Sequence, residues 1–205
     1  MSKPAAGGGR WVEVPPERLA RWLTGFAERH GGAQPHGATL TGGDGETAEF
    51  HLLDGEVAVD TLPAAAEADR RIGLLLVRRG GFAVGVAAGT KLVASKVDTK
   101  YVQSRTAAGG WSQQRFARRR DNQTRQIWDA AADVAARLLL PAGIETLVCG
   151  GDRRAVDEIL TDARLAPVAR LRAQRFLDVA DPRLAVLEAA IGQARAVRIL
   201  LRGPS

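Results

Sequence analysis

The stretch from residue 72 to residue 97 constrains the fold most. Ile72 to Val77 is an unbroken apolar run, Arg79-Gly80-Gly81 supplies a turn, Phe82, Val84 and Val86 alternate with small residues, Ala88-Gly89-Thr90 turns the chain again, and Leu92 to Val97 resumes. Apolar segments of strand length divided by glycine turns predict a meander of neighbouring strands. Two periods then alternate: strand 144–149, the pair Gly150-Gly151, helix 152–162, a strand near 172–179, helix 182–195 and strand 197–201. Strands and helices taken in turn predict an α/β fold, a mixed sheet with packed helices.

The flanking segments extend this core. Residues 15 to 30 read as an amphipathic helix, opened by Pro15-Pro16, carrying Leu19, Trp22, Leu23 and Phe26 at helical spacing, and ended by His30-Gly31-Gly32. Short alternating segments at 38–40 and 47–53 follow, separated by Gly42-Gly43-Asp44-Gly45. A long helix is expected from about residue 113 to Leu140, where Pro141 and Gly143 stop it; its second half sets Ile127, Trp128, Ala131, Val134, Ala135 and Leu138 on one face. Its first half offers only Phe116, so that end is expected to project into solvent. The expected division is a flexible tail over 1–10, an N-terminal helix and strand extension over 11–68, and the core over 69–203.

A chain of 205 residues can bury a core without covalent staples, and the single cysteine, Cys149, lies in an apolar run where a buried strand thiol is expected. No internal disulfide is possible, which fits a reducing compartment. No apolar stretch approaches a membrane span and the first residues lack a signal-peptide core, so the expected location is cytoplasmic, with no membrane partner.

Charge is distributed unevenly. The chain carries +6 overall, yet residues 1–104 hold 12 basic and 12 acidic side chains, and residues 126–205 hold 11 and 10. Between them, Arg105, Arg115, Arg118, Arg119, Arg120 and Arg125 face only Asp121. Arginine dominates throughout, with 25 against four lysines. Guanidiniums are planar, permanently charged and suited to gripping phosphates in pairs, so this segment predicts RNA or another polyanion as partner. A solvated helix face is the plainer alternative.

The same segment begins with Ala107-Ala108-Gly109-Gly110-Trp111-Ser112-Gln113-Gln114. Two alanines and two glycines make a slim tip with free access to positive φ, Ser112 can cap the following helix, and the arginines follow on its first turns. A narrow polar tip on a phosphate-gripping stalk suits insertion into folded RNA.

The string Gly109-Gly110-Trp111-Ser112-Gln113-Gln114-Arg115, after a strand meander and before a long helix, resembles the Vms-like release factor (VLRF) family, in particular its actinobacterial branch, over roughly residues 70 to 202. That family is related to the middle domain of the eukaryotic class-1 release factor. The resemblance implies an RNase H-like release-factor core and hydrolysis of peptidyl-tRNA on stalled ribosomes. It implies the large subunit, its rRNA and peptidyl-tRNA as partners, and a chain acting as a monomer without a cofactor. Gly109 and Gly110 would match the glycine pair of the release-factor loop and Gln113 its catalytic glutamine. In ordinary release factors the glutamine follows the glycines directly; here Trp111 and Ser112 intervene, and Gln114 competes for the role. The arginines would bind rRNA or tRNA phosphates, with Trp111 stacking on a base or packing on the helix start. A non-catalytic RNA-binding module of the ribosome is the alternative.

Other candidates carry less. Cys149-Gly150-Gly151-Asp152 sits where phosphate sites occur but lacks the full dinucleotide fingerprint and the P-loop lysine, so a tight turn with Asp152 as helix cap is expected. His30, His36 and His51 are scattered and near no nucleophile. Asp54, Glu56, Asp60 and Asp98 raise a metal-dependent nuclease, but Asp54-Gly55 reads as a hairpin turn and Asp98 as a solvated strand end; no metal site is expected.

Overall fold

Proline starts and glycine turns delimit many of the elements. The structure, a computed structural model, describes residues 3–78, 80–99 and 112–204, with side chains given outside 112–122. Up to residue 69 run β1 (Lys3–Pro4), β2 (Arg10–Val14), α1 (Pro16–Arg29), β3 (Ala33–His36), β4 (Thr39–Gly42), β5 (Thr47–Leu52), β6 (Gly55–Glu56) and α2 (Leu62–Glu67). There follow β7 (Arg71–Arg78), β8 (Gly81–Ala88), β9 (Lys91–Thr99), α3 (Ser112–Leu139), β10 (Thr146–Gly151), α4 (Arg153–Ile159), α5 (Ala166–Ala169), β11 (Arg172–Leu177), α6 (Leu184–Arg195) and β12 (Val197–Arg202). They form two units, residues 1–69 with 192–205 and residues 70–191.

The first unit is an antiparallel sheet in the order β1-β2-β12-β5-β4-β3, with β6 paired to β5. Its strands alternate: Val12, Val14, Ala48, Phe50, Val197, Ile199 and Leu201 turn to one face, where Leu19, Trp22 and Phe26 of α1 and Leu62 and Ala66 of α2 join them. Trp22 stacks on Phe26 at 5.4 Å and meets Phe50 edge-on at 5.7 Å. Helix α1 begins at Pro16 and ends where the His30 N–H donates to the Phe26 carbonyl, with Gly31 beyond it at φ +68°. Pro16 needs no donor there, and Gly31 accepts the left-handed backbone.

Strand β12, expected in the same sheet as the other C-terminal strands, pairs instead with β2 and β5. Its apolar residues complete a face that the first unit's other strands leave half built. Strands β1, β2 and β3 and helix α2 carry no strong local signal in the sequence. Lys3–Pro4, in the stretch expected as a tail, pairs with Arg10 and Trp11 across a turn of three positive-φ glycines, Gly7 to Gly9.

The second unit has the strand order β11-β10-β7-β8-β9. Strands β7, β8 and β9 form the expected antiparallel meander, while β10 lies parallel to β7 and β11 parallel to β10. This is the mixed α/β sheet that the sequence predicts, in the RNase H-like arrangement that the resemblance implies. On one face Leu75, Val77, Phe82, Val84 and Val86 meet Ile127, Ala131, Ala135 and Leu139 of α3 and Val156 and Ile159 of α4. The opposite face of β8 carries only Ala83, Gly85 and Ala87. A Cβ built on Gly85 would lie 2.9 Å from Leu187 of α6, so the missing side chain is what admits that helix.

The helix expected over 152–162 is shorter and broken. α4 stops at Ile159, and the Asp162 carboxylate then accepts from the Arg164 N–H at 2.9 Å, starting a separate 3₁₀ turn that runs into α5. Of the expected turn 79–81, Arg79 lies outside the described residues.

Candidate functional site

Helix α3 carries the described part of the arginine-rich segment. It begins at Ser112, so Gln113 and Gln114 fall in its first turn and positions 115, 118 and 119 share one stripe of the helix. Its other end is held firmly: Ile127, Ala131, Ala135 and Leu139 are buried against the sheet of the second unit. Leu140–Ala142 close the helix in a 3₁₀ turn, with Gly143 at φ +61° beyond. The segment named by sequence is therefore the start of a 28-residue helix whose last turns are core. Arg105, Gly109, Gly110 and Trp111 lie outside the described residues, and the side chains of Ser112, Gln113, Gln114, Arg115, Arg118, Arg119 and Arg120 are not among those described.

Arg125 is described and exposed. It lines a surface groove of about 390 Å³ with Trp128, Asp129, Ala132, Glu158, Ile159, Thr161 and Asp162. Trp128, read from sequence as part of the stripe packed on the sheet, is half-buried and also lines this groove. Beside it Arg164 bridges Asp162 at 2.6 Å and Asp133 at 2.8 Å. The guanidinium and the Arg164 backbone N–H hold the Asp162 carboxyl at about 2, below the usual carboxylate range. Sequence gave no sign of this groove, because its two walls, on α3 and around α4, are some 30 residues apart along the chain.

The remaining candidates resolve as structure. Cys149 is buried in β10, and desolvation raises its thiol to about 12, so it stays protonated. Asp152 caps α4, its Oδ1 accepting from the Ala155 N–H at 3.2 Å, as expected. The glycine pair ends strand β10 and is not the expected tight turn: a Cβ on Gly151, at φ +94°, would sit 2.0 Å from the Val77 carbonyl oxygen of β7, and one on Gly150 would sit 2.9 Å from the Leu177 carbonyl oxygen of β11. His30 meets Asp44 at 2.8 Å and His51 meets Glu49 at 2.5 Å, each a local pair. The hairpin turn expected at Asp54-Gly55 falls one residue earlier, at Leu53 and Asp54, and Gly55 already belongs to β6. Among the described residues no group of three or more His, Cys, Asp or Glu side chains gathers as metal ligands. No described helix is long and apolar enough to cross a membrane.

The meander, the parallel pair β10 and β11 and the long α3 all lie within the span that matches the model of the actinobacteria/chloroflexi VLRF1 release factors, residues 70–200. The chain belongs to this release-factor family. Membership gives it a release-factor-like role in translation. Among solved structures, an archaeal protein aligns at 17% identity and TM-score 0.40, over 73% of this chain and 48% of its own. The crystal structure of the archaeal translation termination factor aRF1 aligns at 13% identity and TM-score 0.40, over 89% of this chain and 66% of its own. The chain thus spans about half of the first and about two thirds of the second. Among curated proteins none matches.

Proposed function

We propose that this family member hydrolyses the ester of peptidyl-tRNA and frees nascent chains from stalled ribosomes, with residues 105–125 as the part that enters the ribosome. Membership in the release-factor family over residues 70–200 is the observation that carries this reading. The placement of Gln113 and Gln114 at the start of a helix anchored in the core supports it, because a rigid stalk can carry a reactive tip to a fixed depth.

The ester joining peptide to tRNA is already activated; what the reaction lacks is a water aimed at its carbonyl carbon. A glutamine amide donates and accepts hydrogen bonds without titrating, so Gln113 orients that water, and a backbone N–H at the helix start stabilises the developing oxyanion. Water oxygen bonds to the carbonyl carbon, the bond to the ribose oxygen breaks, and that oxygen leaves with a proton as the tRNA hydroxyl. Gly109 and Gly110 keep the tip narrow, Ser112 caps the helix, and Trp111 stacks on a base. Arg105, Arg115, Arg118, Arg119, Arg120 and Arg125 bind rRNA or tRNA phosphates.

Peptide release from a purified stalled nascent-chain complex tests this. Gln113→Ala lowers the release rate about a hundredfold, the size of effect expected when a group that positions or stabilises the reacting centre is removed. If Gln113→Ala and Gln114→Ala each release peptide at the wild-type rate, the glutamine mechanism is wrong. Binding to ribosomes without release by the wild type would favour the non-catalytic RNA-binding module. Replacing Arg118, Arg119 and Arg120 together with Ala flattens the slope of log K against log salt by about 2.

A further inference from the structure

A second cationic surface lies on the other side of the second unit's sheet order from the meander. Strand β11 ends that order, so its outer edge carries no further strand among the described residues. Arg172, Gln174 and Phe176 alternate toward one face, while Ala173, Arg175 and Leu177 are buried. The guanidinium of Arg153, at the start of α4, lies 4.2 Å above the centroid of the Phe176 ring, and that of Arg172 lies 6.0 Å from it. The two arginines differ in what meets their charge. Arg172 donates to the Asp157 carboxylate at 2.5 Å. Arg153 and its exposed neighbour Arg154 have no hydrogen-bonding or ion-pair partner among the described residues.

We propose that Arg153, backed by Phe176, and Arg154 form a second RNA-contacting surface, which takes single-stranded RNA by stacking a base on the Arg153 guanidinium and pairing a phosphate with Arg154. A guanidinium held 4.2 Å over a phenyl ring has one side covered by it, and Arg153, being exposed, keeps its other side and its N–H donors open to solvent. An unpaired base offers a plane for the open face, and the adjoining phosphate offers the charge that Arg154 lacks. The aromatic support restricts the arginine before binding, so less side-chain freedom is lost on association. An acidic peptide could meet the charge but has no plane to match the stack. The inference rests on the release-factor reading for the source of the RNA, since rRNA and tRNA both expose single-stranded segments. It adds a contact outside residues 105–125 that would fix how the chain is oriented on that RNA.

Binding of the full chain to fluorescein-labelled oligouridylate, measured by anisotropy across a salt series, tests it. The double variant Arg153→Ala, Arg154→Ala weakens binding about tenfold and lowers the salt slope by about 1 to 2. Arg153→Lys keeps the slope and still weakens binding several-fold, because charge stays and the plane is lost. Phe176→Leu, apolar and of similar bulk, weakens binding as Arg153→Lys does. Wild-type circular dichroism in each variant shows that the fold is kept. Unchanged affinity and slope in the double variant overturn the proposal, as does labelled polyglutamate that competes at the same concentration as RNA. The peptide-release assay keeps the two readings apart. A double variant that loses RNA affinity while both glutamine variants release normally removes the catalytic reading alone, and intact RNA affinity beside a failing Gln113→Ala removes this surface alone.

Discussion

Strands β5 and β7 hold comparable places in their sheets and bury their residues on different plans. Along β5, Thr47, Glu49 and His51 are half-buried while Ala48 and Phe50 are wholly enclosed. Along β7 every residue from Ile72 to Val77 is buried, and β8 is enclosed from Gly81 to Ala87. An antiparallel sheet with one packed face needs an apolar residue only at every second position. A sheet covered on both faces needs them at every position, and β8 meets the demand with small residues on the side that admits α6. The first unit can therefore set charges across its strands, as in the Glu49–Arg202 pair at 3.3 Å and Arg198 lying 4.2 Å over the Trp11 ring. The second keeps its charge on the helices and edges around the sheet.

Truncations along the two strands are the sharpest way to break this contrast. Leu74→Ala and Leu75→Ala, neighbours on opposite faces of β7, each lower the unfolding free energy by about 2 to 5 kcal/mol in denaturant titrations. On the first sheet Phe50→Ala costs about 3 to 5 kcal/mol, whereas Thr41→Ala, on the alternate face, stays within about 0.5 kcal/mol. A Thr41 variant as costly as Phe50, or a silent Leu74 or Leu75, would show that the two sheets do not differ in this way.

Glycines give a second, smaller comparison. Gly151→Ala puts a Cβ against the Val77 carbonyl oxygen at a positive φ and costs about 3 kcal/mol; Gly143→Ala, also at positive φ but with nothing within 4 Å, costs about 1 kcal/mol. Equal costs would mean that backbone conformation alone, not the close approach of β10 to β7, selects the glycine.

The smallest effect at neutral pH comes from Cys149. Its folded thiol titrates near 12 and the unfolded one near 9. Below pH 9 both states hold the proton and stability is unaffected. As pH rises from 9 toward 12 the unfolded state ionises first, and stability falls by up to about 1.4 kcal/mol per pH unit. Cys149→Ala should remove that share of the alkaline loss, and a profile identical to wild type would mean that the thiol is not desolvated by the covered sheet.

What could be read from sequence follows from how local each interaction is. The β7–β9 meander was legible because each strand pairs with the next across a short turn, and α1 because Pro15-Pro16 and Gly31-Gly32 bracket a clear apolar stripe. The strand segment of β12 was also visible, but its partners β2 and β5 lie more than 140 residues earlier, and nothing in an apolar run names its neighbour. Helix α2 is six residues long with a weak pattern, and β3 contains Pro35, so neither carries a signal above its surroundings. At the candidate site, clustered arginine and the Gly-Gly to Gln string were visible because both are contiguous. The groove beside Arg125 and the Arg153–Phe176 stack join separate segments and needed the fold to appear.

The position of β12 also sets an order of assembly. Residues 70–191 form a unit continuous in the chain. The earlier β2 and β5 must wait, because the strand that lies between them is made only after that whole unit. The segment before residue 70 thus emerges ahead of the second unit and closes after it, and a chain stopped short of residue 197 would leave it with two half-sheets and two open edges.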